Sequence, residues 1–263
     1  ENIIKAKSEL LEGLDKEGVV FINEDDSNLL KIKENYPRIK FKTFGINHGN
    51  IRANKINTIS HNRVAFEVEY NNITNDFHLN IPGLHNVYNA LAAISLGLEF
   101  NLTTDEIKTG LSKFTTSEMR LEIIDGINGI TIINDSYNAC PDSMRAAIDV
   151  LHEFKIRKKG RTIAVLGDML EMGKWGIPSH RELGKYLGDK KIDGLITVGN
   201  KAKHIAISGK ESGIDEKMIF IFNSNKEAIN KLKDICNEND IILIKGSRGM
   251  KMEEIAHSLI NGR

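Results

Sequence analysis

Polar residues that could bind a nucleotide follow an apolar run in the second half of the chain. Asp135, Tyr137 and Asn138 come directly after four strand-forming residues. An aspartate at the end of a strand can accept hydrogen bonds from a ribose diol, and the other two side chains offer further polar groups. The structural interpretation is equally open, because Asp142 or Ser143 could simply cap the helix that follows.

Two further apolar runs end in loops with chemically capable residues. Asp168 follows one of them, and His180 stands a little further on in a helical pattern, where a lone histidine is more often structural than catalytic. Ser247 and Arg248 follow the last run, in a glycine-containing loop that starts with Lys245. Glycines, a hydroxyl and cations just before a helix suit an anion, since backbone N–H groups and the helix dipole converge there. A solvated basic turn is the alternative.

A fourth candidate group lies at the start of a predicted helix in the first half. His85, Asn86 and Asn89 fall within one helical turn. Each carboxamide offers both a donor and an acceptor and could therefore pair with a purine edge. An asparagine-capped buried helix is the structural alternative.

Several motifs that would assign a chemistry are missing from the sequence. It contains no G-x-G-x-x-G fingerprint, no P-loop and no G-x-S-x-G nucleophile elbow. Its two cysteines, Cys140 and Cys236, form neither a CxxC metal motif nor a disulfide framework. Spacing alone therefore predicts a nucleotide- or anion-binding protein without a defined reaction.

The composition narrows the class of protein. The 263 residues include 36 Lys and Arg and 36 Asp and Glu, so the formal net charge is zero and a surface built to bind nucleic acid or anionic lipid is not expected. No stretch of 18 apolar residues could cross a membrane, and no signal peptide begins the chain. With few cysteines, these features favour a reduced, cytoplasmic protein that binds neither nucleic acid nor membrane.

The elements that must position these residues predict an α/β fold in two parts. A helix is predicted over residues 3–14, and period-two alternation over residues 40–81 predicts a small antiparallel meander with one wet face. Two helices follow, over 85–100 and 104–114. After a boundary near residues 115–119, strands alternate with helices, which predicts a Rossmann-like, mostly parallel sheet. The predicted domains are therefore 1–118 and 119–263. The predicted strands of the second domain are 121–124, 131–134, 162–166, 194–198, 218–222 and 241–244, and its predicted helices are 143–153, 179–187, 201–208 and 226–237.

Together these segments resemble the Mur ligase family, the ATP-dependent amino-acid ligases of peptidoglycan synthesis. The resemblance covers essentially the whole chain. Its most specific stretches are INDSYNACPDSM at 133–144, LGDMLEMG at 166–173, KGSRGM at 245–250 and the His85-Asn86-x-x-Asn89 pattern. Their order is most similar to the branch that adds D-alanyl-D-alanine to UDP-N-acetylmuramoyl-tripeptide. The resemblance implies the later part of a central ATPase domain followed by a complete C-terminal domain.

The resemblance also implies roles for individual residues. Lys7 is similar to the lysine that relatives carbamylate as a ligand for Mg²⁺, although a lysine on an amphipathic helix is otherwise surface decoration. Arg120 matches a catalytic arginine that reaches the phosphates of ATP, although many relatives have glycine where this chain has Met119. The remaining implied contacts are His85, Asn86, Asn89, Asp135, Tyr137 and Asn138 on ATP, and Asp168, His180, Ser247 and Arg248 on the substrate.

The implied reaction is an acyl activation by ATP followed by attack of the dipeptide amine. The family's P-loop precedes the region where this sequence starts, so we expect the chain alone, as a fragment and a monomer, to be inactive. Two alternatives stay open: another Mur ligase or a folylpolyglutamate synthetase-like enzyme, and a non-catalytic nucleotide- or peptide-binding module.

Overall fold

The structure, a computed structural model, describes residues 2–60, 63–157 and 160–261. The ends of the predicted domains at residues 1 and 262–263, and residues 61–62 of the predicted meander, lie outside these ranges. The chain forms two compact units, Glu1–Thr115 and Thr116–Arg263. None of the described helices is long and apolar enough to span a membrane.

The first unit is built on one mixed sheet with the strand order β1-β2-β3-β4-β5. Strands β1 to β3 pair in parallel, and β3, β4 and β5 pair antiparallel. The elements are α1 (Asn2–Ser8), β1 (Val19–Asn23), α2 (Ser27–Asn35), β2 (Lys40–Gly45), β3 (Ile51–Ser60), β4 (Arg63–Tyr70), β5 (Ile73–Leu79), α3 (Leu84–Glu99) and α4 (Thr104–Ser112).

Two sequence-based boundaries in this unit are wrong. The meander begins at Ile51 rather than at residue 40, because β2 pairs in parallel with β1. Helix α1 ends at Ser8, and a short 3₁₀ helix over Glu9–Leu11 replaces the predicted continuation to residue 14. The single wet face of the meander is confirmed: buried and exposed residues alternate along β3, and the buried side packs against α3 and α4.

The turn between β4 and β5 follows directly from its sequence. Asn71 and Asn72 both have positive φ, of 50° and 60°, between the paired residues Tyr70 and Ile73. Two consecutive left-handed residues define the two-residue turn that matches the twist of a hairpin, and asparagine tolerates that conformation well.

The second unit is a Rossmann-like sheet covered by helices on both faces, as predicted. Its strand order is β10-β9-β8-β11-β7-β6, and only the edge strand β6 is antiparallel to its neighbour. The elements are β6 (Glu122–Asp125), β7 (Thr131–Asp135), α5 (Pro141–Arg157), β8 (Thr162–Gly167), α6 (Gly176–Asp189), β9 (Gly194–Val198), α7 (Lys203–Glu211), β10 (Ile219–Phe222), α8 (Asn225–Ile235), β11 (Ile241–Lys245) and α9 (Glu253–Asn261).

The central strands of this sheet consist almost entirely of apolar residues, which is why both faces of the sheet are buried. All five residues of β9 and all five of β11 are buried. Helices α5, α6 and α7 pack against one face, and α8 and α9 pack against the other. Strand β11, the last in sequence, lies between β7 and β8 in the middle of the sheet.

Candidate functional site

Three loops with candidate residues meet at the carboxyl edge of the second sheet. They follow β7, β11 and β8, which are adjacent and parallel, so their ends lie side by side. The Ser247 N–H donates to the Asp168 carbonyl oxygen at 3.1 Å, and the Ser247 hydroxyl accepts from the Leu170 N–H at 2.8 Å. The backbones come so close that a Cβ on Gly246 would lie 3.1 Å from the Gly167 Cα. The three loops therefore share one edge of the sheet.

A buried ion pair joins the first two loops. Lys245 Nζ lies 2.5 Å from Asp135 Oδ2 and 2.9 Å from the carbonyl oxygen of Asn138. The Lys245 side chain is 3% exposed and that of Asp135 is 14% exposed. The two residues are register partners on neighbouring strands, which places their side chains together. The second Asp135 oxygen, Oδ1, accepts from the Leu121 N–H at 3.1 Å.

Arg120 lies against an aromatic ring at the same edge. Its guanidinium carbon is 4.3 Å from the centre of the Tyr137 ring, within cation–π distance. Both side chains are exposed, and no carboxylate within the described ranges pairs with Arg120. An unpaired, solvent-accessible guanidinium that stacks on an aromatic ring is suited to binding a phosphate or a carboxylate.

The backbone on either side of Arg120 is in the left-handed region. Met119 has φ of 61° and Leu121 has φ of 48°. Side chains other than glycine rarely adopt this conformation, because Cβ crowds the following carbonyl oxygen. The position of Met119 is thus one where glycine would be unstrained, in agreement with the residue that the family resemblance implies there.

Arg248 is the second exposed guanidinium of the site. It donates to Glu253 Oε1 at 2.7 Å and contacts the Met119 sulfur at 3.3 Å. It also lines a cavity of about 320 Å³ together with Glu118, Glu122 and Glu253. That volume falls in the lower range for small-molecule sites.

Asp168 and Ser247 are largely engaged by neighbouring backbone. Asp168 is 7% exposed, and its Oδ1 accepts from the N–H groups of Lys201 and Ala202 at 2.9 and 2.6 Å. Ser247 is 5% exposed, with its hydroxyl between two loops. Asn138 is exposed, and its side-chain oxygen accepts from the Ala139 N–H at 2.8 Å.

His180 is fully buried and ties the β8 loop to α6. Its Nδ1 lies 2.6 Å from the Gly176 carbonyl oxygen, so this nitrogen carries the proton and donates. Its Nε2 accepts from the Met169 N–H at 3.0 Å. Burial lowers the pKa of the imidazole, which keeps the ring neutral. Both nitrogens are thus engaged within the protein, which favours the structural interpretation of this histidine.

The candidate residues of the first unit lie at the start of α3 and on α1. Asn86 is buried and donates to the Pro82 carbonyl oxygen at 2.7 Å, and its Oδ1 accepts from Asn89 Nδ2 at 3.2 Å. His85 is half-buried and Asn89 is exposed. Lys7 is exposed on α1. Within the described ranges, no three His, Cys, Asp or Glu side chains are grouped so as to hold a metal ion.

Asp25 is a buried carboxylate near α3 that the sequence analysis missed. It accepts from the backbone N–H groups of Ile46, Asn47 and His48 at 2.7 to 3.0 Å. It also accepts from the Tyr88 hydroxyl on α3 at 2.9 Å. These bonds hold the pKa of Asp25 at about 2 despite its burial, and burial with the neighbouring carboxylate raises the pKa of Tyr88 to about 12. The signal in the sequence is the run of three acidic residues, Glu24 to Asp26, directly after β1; Asp26 caps α2, which leaves Asp25 free for this role.

Comparisons with known proteins agree with the resemblance. A family model described as the Mur ligase middle domain matches residues 1–97, and one described as the Mur ligase, glutamate ligase domain matches residues 119–248. The chain is 35% identical over 260 residues to the UDP-N-acetylmuramoyl-tripeptide–D-alanyl-D-alanine ligase of Bacillus subtilis, covering 99% of this chain but 55% of that relative.

Solved structures show the same partial coverage. A crystal structure of MurF from Acinetobacter baumannii superposes with a TM-score of 0.84 at 28% identity, over 98% of this chain and 55% of that one. A MurF ligase from Thermotoga maritima, solved in complex with ADP, gives a TM-score of 0.81 at 21% identity, over 98% of this chain and 56% of that one. The chain thus spans about 55% of the length of these relatives.

Proposed function

Because the chain belongs to the Mur ligase family, with that family's middle and C-terminal domains, we propose that it works within a UDP-N-acetylmuramoyl-tripeptide–D-alanyl-D-alanine ligase. The names of the Bacillus and Acinetobacter relatives support this choice among the Mur ligases. The observation that carries the proposal is the carboxyl edge of the second sheet, where Arg120, Tyr137 and Arg248 are exposed together with the 320 Å³ cavity.

The proposed reaction has two steps. The terminal carboxylate of the tripeptide attacks the γ-phosphorus of ATP, which forms an acyl phosphate and releases ADP. The amine of D-alanyl-D-alanine then attacks the acyl carbon, loses a proton and forms the amide bond as phosphate leaves. Both steps spread negative charge over phosphate oxygens, so fixed cations and positioning account for much of the catalysis.

Arg120 is the residue of this chain best placed to stabilise that charge. Its guanidinium is exposed and unpaired within the described ranges, and Tyr137 restricts its position. We assign Tyr137 and Asn138 to the nucleotide side of the same edge, since both are exposed. Asp135 was expected to bind a ribose, but its two oxygens already accept from Lys245 and Leu121. A ribose contact by Asp135 would therefore have to share or displace those bonds.

Arg248 is proposed to bind the carboxylate of the dipeptide. A planar guanidinium pairs well with a carboxylate. The cavity beside Arg248 is also lined by Glu118, Glu122 and Glu253, whose negative charges suit the ammonium group at the other end of the zwitterionic dipeptide. Ser247, Asp168 and His180 are proposed to act indirectly, because each of them is buried and holds backbone groups of the site loops in place.

In the first unit, the start of α3 is proposed as the adenine side. Asn89 is exposed and its neighbour Asn86 fixes its amide, while His85 is half-buried at the same helix start. For Mg²⁺, the residues present do not make a site, because Lys7 is exposed and no cluster of three metal-ligating side chains occurs within the described ranges. A carbamylated Lys7 would contribute one side chain to such a site.

We further propose that the protein acts as a monomer in the cytoplasm. The free thiols of Cys140 and Cys236 support a reducing compartment.

The test is ligase turnover by the complete reading frame that encodes the chain. ADP release should require both the UDP-N-acetylmuramoyl-tripeptide and D-alanyl-D-alanine, with omission of either substrate as the control. The 263-residue chain by itself, which has no P-loop, should show no such turnover. Turnover that requires a single amino acid, such as glutamate, instead of the dipeptide would identify another ligase of the family. Nucleotide binding without ADP release would identify a non-catalytic binding module.

A further inference from the structure

The short turn that carries Arg120 is held from several sides. The Leu121 N–H donates to Asp135 Oδ1 at 3.1 Å, and the Tyr137 N–H donates to the Met119 carbonyl oxygen at 3.1 Å. The turn therefore connects on both sides of Arg120 to the loop that follows β7. Since Met119 and Leu121 both occupy the left-handed region, these bonds maintain a backbone that the residues would not adopt unaided.

Lys245 in turn holds that loop. Its ammonium group bonds to Asp135 Oδ2 and to the Asn138 carbonyl oxygen, the two ends of the loop that carries Tyr137. A buried lysine must place its charge on such acceptors, and at 3% exposure Lys245 has no direct access to a substrate. A chain of contacts thus runs from Lys245 through Asp135 to Leu121 and Arg120.

We propose that Lys245 is a positioning residue for Arg120: by fixing Asp135 and the loop after β7, it holds the Arg120 guanidinium on the Tyr137 ring. This inference rests on the proposed function only for the role of Arg120. The contact between Arg120 and Tyr137 is a property of the chain itself. The loss of Lys245 should therefore release Arg120 even in the absence of nucleotide.

The first test measures this contact by nuclear magnetic resonance in the 263-residue chain. In the wild type, Arg120 Hδ protons should show ring-current shifts and nuclear Overhauser contacts to the Tyr137 ring. Lys245→Met should abolish both, whereas Lys233→Met, the same change at an exposed lysine on α8, should leave them intact. Unchanged Arg120 signals in folded Lys245→Met protein would overturn the proposal.

A second variant covers the case in which Lys245→Met does not fold. Asp135→Asn keeps an oxygen for the Leu121 N–H but turns a carboxylate that attracts Lys245 into a neutral amide. It should also release Arg120, with folding judged from the core methyl signals of Val165 and Ile196. Retention of the Arg120–Tyr137 contact in this variant would contradict the role of the ion pair.

The kinetic test is a double-mutant cycle in the complete reading frame. Lys245→Met should lower kcat by about tenfold or more, since displacement of a charge-stabilising group by about 1 Å can cost up to about a hundredfold. In the Arg120→Ala background, the same change should cost less than about twofold, because its target is gone. Equal losses in both backgrounds would show that Lys245 does not act through Arg120. If the wild-type reading frame has no ligase activity, the proposed function fails, and the resonance experiment still decides the positioning role.

Discussion

Replacing His180 with phenylalanine should destabilise the Thr116–Arg263 unit substantially. The ring is fully buried, and its nitrogens bond to the Gly176 carbonyl oxygen and the Met169 N–H. Phenylalanine fills a similar space but bonds to neither group. The Met169 N–H is left without its acceptor, which costs about 1–3 kcal/mol. The Gly176 carbonyl oxygen remains bonded within α6 and loses only a second bond worth about 0.5–1.5 kcal/mol, so the free energy of unfolding should fall by about 1.5–4.5 kcal/mol.

Differential scanning calorimetry measures this loss directly. At about 2–4 °C per kcal/mol for a unit of this size, the Tm should fall by roughly 3–18 °C. The matched control is His257→Phe, the same change at an exposed histidine on α9, which should shift the Tm by less than about 2 °C. A similarly small shift for His180→Phe would refute the structural role and favour a ring that faces ligand.

The pH dependence of stability gives an independent check on the same residue. Burial lowers the pKa of His180, so below about pH 6.5 the unfolded chain binds a proton that the folded protein does not. The contribution of the neutral ring is therefore fully present above about pH 6.5 and is lost as the pH falls below that value through the lower pKa of the folded state. The Tm of the wild type should fall more steeply over this range than that of His180→Phe, and parallel curves would contradict a buried neutral imidazole.

Three further predictions concern other residues. Burial and Asp240 raise the pKa of the Cys236 thiol to about 12, so at pH 8 about one molecule in ten thousand carries the thiolate. Iodoacetamide should therefore alkylate the exposed Cys140 at least about 100 times faster than Cys236, as measured by mass spectrometry. Comparable alkylation rates would contradict this. The lowered pKa of Asp25, about 2, should give the first unit about 2 kcal/mol of stability that is present above pH 4 and lost between about pH 4 and 2, and Asp25→Asn should remove this pH dependence in acid unfolding curves. In the complete reading frame, Arg120→Ala should lower kcat more than it raises the KM for D-alanyl-D-alanine, and unchanged turnover would remove Arg120 from the phosphate role.

The architecture of the second unit could be predicted from sequence because its signals are local. Apolar runs of strand length, such as residues 241–244, identify strands that are buried on both faces, and the helical periods between them imply parallel connections. Period-two alternation likewise located the meander. It failed at β2, because the sequence of an edge or parallel strand does not state which neighbour it pairs with.

The task of each polar side chain depends on contacts that sequence spacing does not reveal. Asp135 was correctly placed at a strand end, yet its partner Lys245 lies 110 residues away and becomes a neighbour only through the strand order. For the same reason, the sequence does not decide whether His180 is structural or catalytic, because its two backbone partners, Gly176 and Met169, are identified only by the fold. Asp25 escaped notice because its main ligands are backbone N–H groups, which every sequence contains.

The place of β11 in the second sheet has a consequence for how this unit is made. Strands β7 and β8 each have β11 as a parallel neighbour, but β11 leaves the ribosome after the five other strands of this sheet. Until it inserts, the sheet is split into a β6–β7 hairpin and a β8–β9–β10 layer, each with an apolar edge open to other chains. The sheet closes only when β11 inserts, and this insertion brings Lys245 to Asp135 in the same event. A truncation near residue 240 should therefore leave two separate, aggregation-prone parts of the sheet rather than a slightly smaller folded domain.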